Sequence, residues 1–550
     1  MKNPIIFITS FLLVSGFSQP PQWAWAKSVG GNSSDKGRSI AVDGSGNVYV
    51  AGNFESSSLV LGTTTLNNMG ASDVFLIKYD LNGNMLWAKS FGGTNIDMAY
   101  DVTVDGSGNI YITGFFSSPS MIIGTTTLSN TGLNDIFIVK YTSNGNILWA
   151  KRFGDSDYED ANGIAVGPSG NVYVTGTFRS SSIVFGTTTL TSVGMDDIFL
   201  VKFDANGNVI WAKSAGGNNW DNPLQISVNN NGDVGICGFF RSSTLSFGTT
   251  TLTNVGNDDI FVAKYDTNGN LLWAKKEGGN DIEQARDIAM DANGNLYVTG
   301  TFKSPNLTIG TLTLTNAGIS DFYILKYDAN GNVIWAKSAG GSGSELGTNV
   351  TIDGNGKVYV LGFFDSSSLL FDAITLNNIG SKDIFILKYD ENGNVLWANS
   401  IGGNSFEESF GMALDNGSNV YVSGWFYSSL LSFGTTTLNN AGYWDAFVAK
   451  LGNSPIGISE LPHEECPLKI FPNPANDHIR LFFEGNYSGI VLIEVFNILG
   501  EKLYEYSEDL STANLTKEIK ISLSPFPSGP YLITVKNERW VVKKEIMIVK

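Results

Sequence analysis

The chain has 550 residues, 34 Lys+Arg against 52 Asp+Glu for a net charge of -18, 63 Gly, 2 His and 2 Cys. With 42% hydrophobic, 12% aromatic and only 16% charged residues it is too apolar to be disordered, and the acidic balance argues against nucleic acid or anionic membrane as a partner. Both histidines, His463 and His478, lie near the C-terminus, so the first 450 residues offer no imidazole for a Ser-His-Asp machine or a common zinc site.

Met1 and Lys2 form a short basic start, Ile5 to Phe17 is mostly apolar, and Gly16 and Ser18 suit a cut after Ser18. The apolar run is too short to span a bilayer of about 30 Å, so residues 1–18 read as an export signal. No later segment is apolar enough to anchor the mature chain. Cys237 and Cys466 are far apart, and Cys237 stands where other repeats carry Ala, Thr or Ser, which suits a small buried thiol better than a disulfide.

Repetition then decides the fold. Trp25, Trp87, Trp149, Trp211, Trp273, Trp335 and Trp397 are each 62 residues apart, and so are Asp73, Asp135, Asp197, Asp259, Asp321, Asp383 and Asp445. Seven such units fill residues 19–452 without insertion or deletion. Each unit reads as two hairpins: Ser39–Asp43 and Asn47–Phe54 around Gly-Ser-Gly, then Asp73–Asp80 and Asn84–Phe91 around an Asn-Gly turn. Strands apolar on both faces, such as Phe75, Ile77 and Tyr79 opposite Val74 and Leu76, require sheets stacked face to face, and a ring of seven four-stranded sheets is an all-β, seven-bladed β-propeller. The repeats begin with a lone Trp-bearing strand and end with Asp445–Leu451, which lacks its usual partner; pairing these two closes the ring and removes two exposed edges.

The pattern I-A-V-D-x-x-G-N-V-Y-V-x-G-x-F followed by D-x-F-x-x-K-Y-D-x-N-G-N-x-x-W resembles the SBBP repeats of secreted bacterial propellers. That resemblance implies the architecture but no single activity. The fourth unit departs most, with GDVGICG at Gly232–Gly238.

Residues 453–466 are polar and aperiodic, a linker. From 467 to 550, alternating apolar runs such as IRLFF, IVLIEVFN and YLITVKN predict a small antiparallel β-sandwich. With KIFPNPAND (Lys469–Asp477), VFNILGEKL (Val495–Leu503), SGPYLITV (Ser528–Val535) and the terminal KEIMIVK, this stretch resembles the type A sorting domain of the type IX secretion system. The resemblance implies the secretion machinery as a partner and a location outside a Gram-negative cell, either released or held at its surface. A monomer is expected.

Two sets of residues are candidate sites. Ten residues after each Trp stands an acid: Asp35, Asp97, Glu159, Asp221, Glu283, Glu345 and Glu407. These form either an acidic collar able to hold Ca²⁺, the one cofactor considered, or seven loop acids that accept backbone hydrogen bonds, the simpler reading for a feature of every blade. The residue before each acid varies (Ser34, Ile96, Tyr158, Trp220, Ile282, Ser344, Phe406), and Tyr158, Trp220 and Phe406, with Tyr443 and Trp444, are candidate ligand platforms or else inter-blade packing. Arginine is sparse in the ring (Arg38, Arg152, Arg179, Arg241, Arg286), so a cluster for an acidic sugar would need convergence across blades. The DxNGN turns read as plain hairpins and the Gly-Gly pairs as loop entries rather than phosphate cradles.

The resulting expectation is a non-catalytic binding or adhesion module for glycan or protein. The alternatives are a hydrolase or lyase using loop carboxylates, with Asp155, Asp157, Glu159 and Asp160 the place to look, and a surface spacer with no small ligand.

Overall fold

The computed structural model describes residues 21–452, 468–484, 490–497, 502–509, 516–536 and 541–550. The export signal, the linker, His463 and Cys466 lie outside the described residues. Two compact units divide at Asn453 and Ser454.

The first unit is the ring. It opens with β1 (Trp23–Val29), and the first full blade follows as β2 (Asp35–Val42), β3 (Val48–Phe54), β4 (Ser58–Leu61), β5 (Thr64–Asn67), β6 (Asp73–Tyr79) and β7 (Met85–Phe91). The blade sheet runs β2-β3-β6-β7 from the axis outward, all antiparallel, and six such sheets recur along the chain. The middle strands β3 and β6 are buried at every position, as side chains apolar on both faces demand. Each innermost strand touches the innermost strand of the next blade, and β2 touches Glu407–Leu414, so the circle is complete.

The seventh sheet is made from both ends of the ring. β1 pairs antiparallel with Asp445–Leu451, Trp25 opposite Lys450 and Ser28 opposite Phe447, as the two orphan strands in the sequence required. The closure hides the backbone of two strands that would otherwise be exposed edges.

A second device stitches the blades. Trp25 Nε1 donates to the Leu81 carbonyl at 3.1 Å, in the Asn-Gly turn of the next blade, and Trp87, Trp149, Trp211, Trp273 and Trp335 each do the same 56 residues on. The turn glycine, at φ +79° in Gly83, lies so close under the indole that a Cβ would sit 2.7 Å from it. Lys450 Nζ reaches the same Leu81 carbonyl across the closure. The turns are the plain hairpins expected: Asp80 accepts from the Asn82 and Asn84 amides and the Asn84 side chain.

One element was not anticipated. Between the second and third strands of each blade sheet stands a two-stranded hairpin, β4-β5 between β3 and β6 in the first, with Leu59 and Leu66 buried and Thr65 exposed. Its strands are only four residues long, so the Thr-rich run carries little periodic signal. The irregular fourth blade keeps its strands. Gly235 stands where other blades have Tyr, and the side-chain ends of Leu296, Ile288 and Met290 pack into the space above it; Cys237 is a free thiol fully enclosed in apolar packing.

The second unit has a three-stranded sheet (Leu468–Phe471, His478–Glu484, Thr516–Ser522) and a four-stranded one (Ile490–Phe496, Lys502–Asp509, Gly529–Lys536, Val541–Ile548). Ile479, Leu481 and Phe483 of the first join Val491, Ile493, Ile533 and Val535 of the second in one core. The opening motif ties back to the last strand: the Ala475 amide donates to the Met547 carbonyl, and the Val549 amide to that of Ala475, both at 2.8 Å.

Candidate functional site: the central cavity

The seven loop acids begin the innermost strands, and all are 0% exposed. Asp35 Oδ2 accepts from the Gly31 amide and the Ser56 hydroxyl, both at 2.7 Å, and Oδ1 from the Ser56 amide. Asp97 repeats this with Gly93 and Ser118, and Glu283 with Gly279 and Ser304. The Gly-Gly pairs follow from these contacts. A Cβ on Gly31 would lie 2.7 Å from the Ser56 hydroxyl, and one on Gly30 would lie 2.1 Å from Asp445, the acid that opens the strand paired with β1. The loop thus packs two carboxylates against one glycine, Asp445 with Asp35 and Asp73 with Asp97. Burial, with the neighbouring charge adding to it, pushes Asp73 and Asp445 up to about 6; burial pushes Asp221 up to about 7. Loop amides and serine hydroxyls hydrogen-bond these carboxylates, Glu407 Oε1 being buried without a partner, and among the described residues no group of three or more His, Cys, Asp or Glu is arranged to hold a metal.

The variable residues before the acids lie on the end of the ring that carries the hairpins, each forming a bridge to the preceding blade. Tyr158, Trp220 and Phe406 remain 41, 38 and 43% exposed, so packing uses only part of each ring. Arg179 lies over Tyr158 and Arg241 over Trp220, and these arginines are ion-paired to Asp196 and Asp258 at 2.7 Å. Tyr443 and Trp444 cluster with Tyr427, ring centroids 5.2 and 5.3 Å away. These aromatics are distributed blade by blade around the hairpin end.

A concave space lies on the axis instead. Every innermost strand carries a β-bulge three residues after its acid, and a bulge re-aims the side chain it carries. The seven bulged residues are Arg38, Tyr100, Asn162, Leu224, Arg286, Thr348 and Phe410, and all seven line one cavity of about 470 Å³. Asp160, Asn222 and Gln284, one residue after their acids, join them. Of the four clustered acids singled out in the sequence, only Asp160 reaches this space; burial pushes it up to about 6. Behind the wall, Asp101 accepts from the Ser39 hydroxyl and the Ile164 amide, and Asp287 from Asn349 and the Val350 amide, joining blades around the axis; burial pushes these up to about 6 and 7.

Sequence reasoning looked for variation one residue before the acid and missed the position three after it. The signal was faint: six residue types stand at that register, but the positions beside it vary as widely, from Lys36 to Glu408 one residue after the acid and from Ser39 to Gly411 four after it. Arginine convergence, judged improbable from spacing, occurs: Arg38 and Arg286, 248 positions apart, line the same cavity.

Residues 24–53, 86–114 and 148–177 match the family described as Beta-propeller repeat, and residues 469–549 the family described as Secretion system C-terminal sorting domain. The chain carries SBBP propeller repeats and a type IX sorting tail. The sorting tail implies handling by the type IX machinery and export, to the medium or the cell surface. Among the described residues no helix is long and apolar enough to cross a membrane. An uncharacterised WD repeat-containing protein of Acanthamoeba polyphaga mimivirus is 26% identical over 81% of this chain and 40% of its own length. The regulatory protein FlaEY of Caulobacter vibrioides is 24% identical over 47% and 29%. The SBBP chain thus spans less than half the length of these curated relatives. Among solved structures, a variant of Synechocystis apocarotenoid oxygenase covers 79% of this chain and 94% of its own at 10% identity and a TM-score of 0.34.

Proposed function

We propose that the ring is a non-catalytic binding module for a glycan or protein outside the cell, and that it takes its ligand in the axial cavity. The observation that carries this reading is the placement of seven side chains of six chemical types around one axial cavity by a bulge common to all blades. Packing alone gives no reason for Arg, Tyr, Asn, Leu, Arg, Thr and Phe at one register, whereas recognition does. The exposed aromatics Tyr158, Trp220, Phe406, Tyr443 and Trp444 extend the contact surface around the hairpin end. The seven loop acids hold their loops in this reading, and chelator is expected to leave the melting temperature unchanged.

A hydrolase reading is less well supported. Glycoside hydrolysis uses two carboxyl groups flanking the scissile bond, and Asp160 is the single acid on the cavity wall. The test is a glycan-array and surface-proteome screen of the full chain beside Phe410→Ala, Asn162→Ala and the turn variant Asn82→Ser. Binding lost in the first two and kept in the third supports the module; a chain that binds nothing on either screen is a spacer.

A further inference from the structure

Resting on that reading, we infer that the axial cavity is built for a carboxylated sugar, with Arg38 and Arg286 binding its carboxylate. The ring has five arginines, and three are neutralised by carboxylates: Arg152 by Asp135, Arg179 by Asp196 and Arg241 by Asp258. The two on the cavity wall have no such partner among the described residues. Carboxylates act on them at longer range, Glu55 on Arg38 and the already paired Asp258 on Arg286, with Asp160 on the same wall, but desolvated guanidiniums without a contacting counter-charge are costly.

Their remaining contacts position the side chains without neutralising them. Arg38 Nε donates to Asn53 Oδ1 at 2.7 Å, and its guanidinium lies 5.5 Å from the Tyr100 ring centroid and 5.8 Å from that of Trp425. Arg286 Nη2 donates to Gln284 Oε1 at 2.9 Å, and Gln284 is itself anchored on Asp258 at 2.9 Å. Arg286 Nε is buried without a partner, and so is Asn349 Oδ1 on the same wall. Guanidinium geometry matches a carboxylate in paired hydrogen bonds, which Lys cannot reproduce.

The rest of the wall favours sugar over peptide. Phe410 stacks on Trp425 with centroids 4.7 Å apart at 11°, a flat apolar surface of the kind that takes the C–H face of a pyranose. Asn162, Asn222 and Gln225 supply amides that both donate and accept, as hydroxyls require.

The test uses the full chain and three probes in calorimetry: trigalacturonate, its methyl ester, which keeps the shape and removes the charge, and triglutamate. Trigalacturonate is expected to bind at least tenfold more tightly than either of the others. Arg286→Gln should remove at least tenfold of that preference and Arg286→Lys should not restore it, with folding verified by an unchanged melt. Equal binding of acid and ester would overturn the carboxylate inference while leaving the binding module standing. Equal binding of triglutamate would overturn the choice of sugar. No binding of trigalacturonate, with other glycans bound on the array, would overturn the inference alone, and no binding on any screen would overturn the module as well. The wild-type comparison of acid with ester decides the matter even if the variants misfold.

Discussion

The two ends of the ring obey different rules. At the turn end, Trp, Lys, Asn-Gly and Asp recur blade after blade, because each blade must clasp the next through the same indole-to-carbonyl bond. At the hairpin end, the axis is lined by residues that share a register and nothing else. Constancy in a repeat protein therefore marks stitching, and variation at a fixed register marks what stitching leaves free. The loop acids belong with the first group although they lie at the second end, since their oxygens are committed to their own loops.

That contrast can be broken most severely at the closure. Deleting Trp23–Val29 leaves Asp445–Leu451 paired on one side only, to Val420–Phe426, and exposes its outer edge; the ring is expected to lose its cooperative melt, read by calorimetry and by size-exclusion chromatography. Next comes Asp97→Ala, which strands two buried amides and a hydroxyl and should cost about 2–4 kcal/mol in denaturant titration; a loss below about 1 kcal/mol would remove the loop acids from the stitching group.

A pH series sharpens the comparison. The folded-state pKa values of Asp73, Asp197, Asp221, Asp287, Asp383 and Asp445 are raised by burial to about 6 or 7, above the unfolded value near 4. Between those values the folded ring binds more protons than the unfolded chain, so stability is greatest below the unfolded pKa and falls as pH rises through the folded one. The melting temperature should climb by several degrees from pH 8 to pH 5. The turn aspartates Asp43, Asp105 and Asp415 behave oppositely: their hydrogen bonds to Asn, Tyr and backbone groups outweigh burial and hold their pKa down, so stability drops again below about pH 4. A flat melt from pH 8 to 5 would refute the burial argument.

Smaller effects separate the two ends finely. Trp273→Phe removes one clasp bond, to the Ala329 carbonyl at 3.1 Å, and should cost about 1 kcal/mol. Leu224→Asn, on the cavity wall, should shift stability by no more than about 0.5 kcal/mol, since that register already tolerates Asn in another blade.

Most of the architecture was legible because it rests on local rules repeated seven times. The Trp period, the Asn-Gly turns and the two orphan strands imply the ring and its closure, and both are found. The short Thr-rich hairpins were not legible, because a four-residue strand has too few alternations to stand out. The cavity was harder still. Reading it requires knowing that a bulge turns the third residue after the acid toward the axis, and a bulge is a backbone event with no residue signature in these strands, where Gly37, Pro223 and Ser409 alike precede it. The pairing of Arg38 with Arg286 depends on curvature summed over four blades, which no local pattern encodes.

The strand that opens the ring carries a temporal consequence. β1 must wait for a partner roughly 400 residues later, which at ordinary ribosomal speeds of about 5–20 residues per second is a delay of about 20–80 s. For that interval every nascent molecule has a free edge and six nearly identical strands competing for it. Asp445–Leu451 ends in Leu where five of the other six corresponding strands end in Tyr and one in Phe, and carries Ala446 where they carry Val, Ile or Phe, which gives the waiting strand two side chains by which its proper mate differs from the decoys.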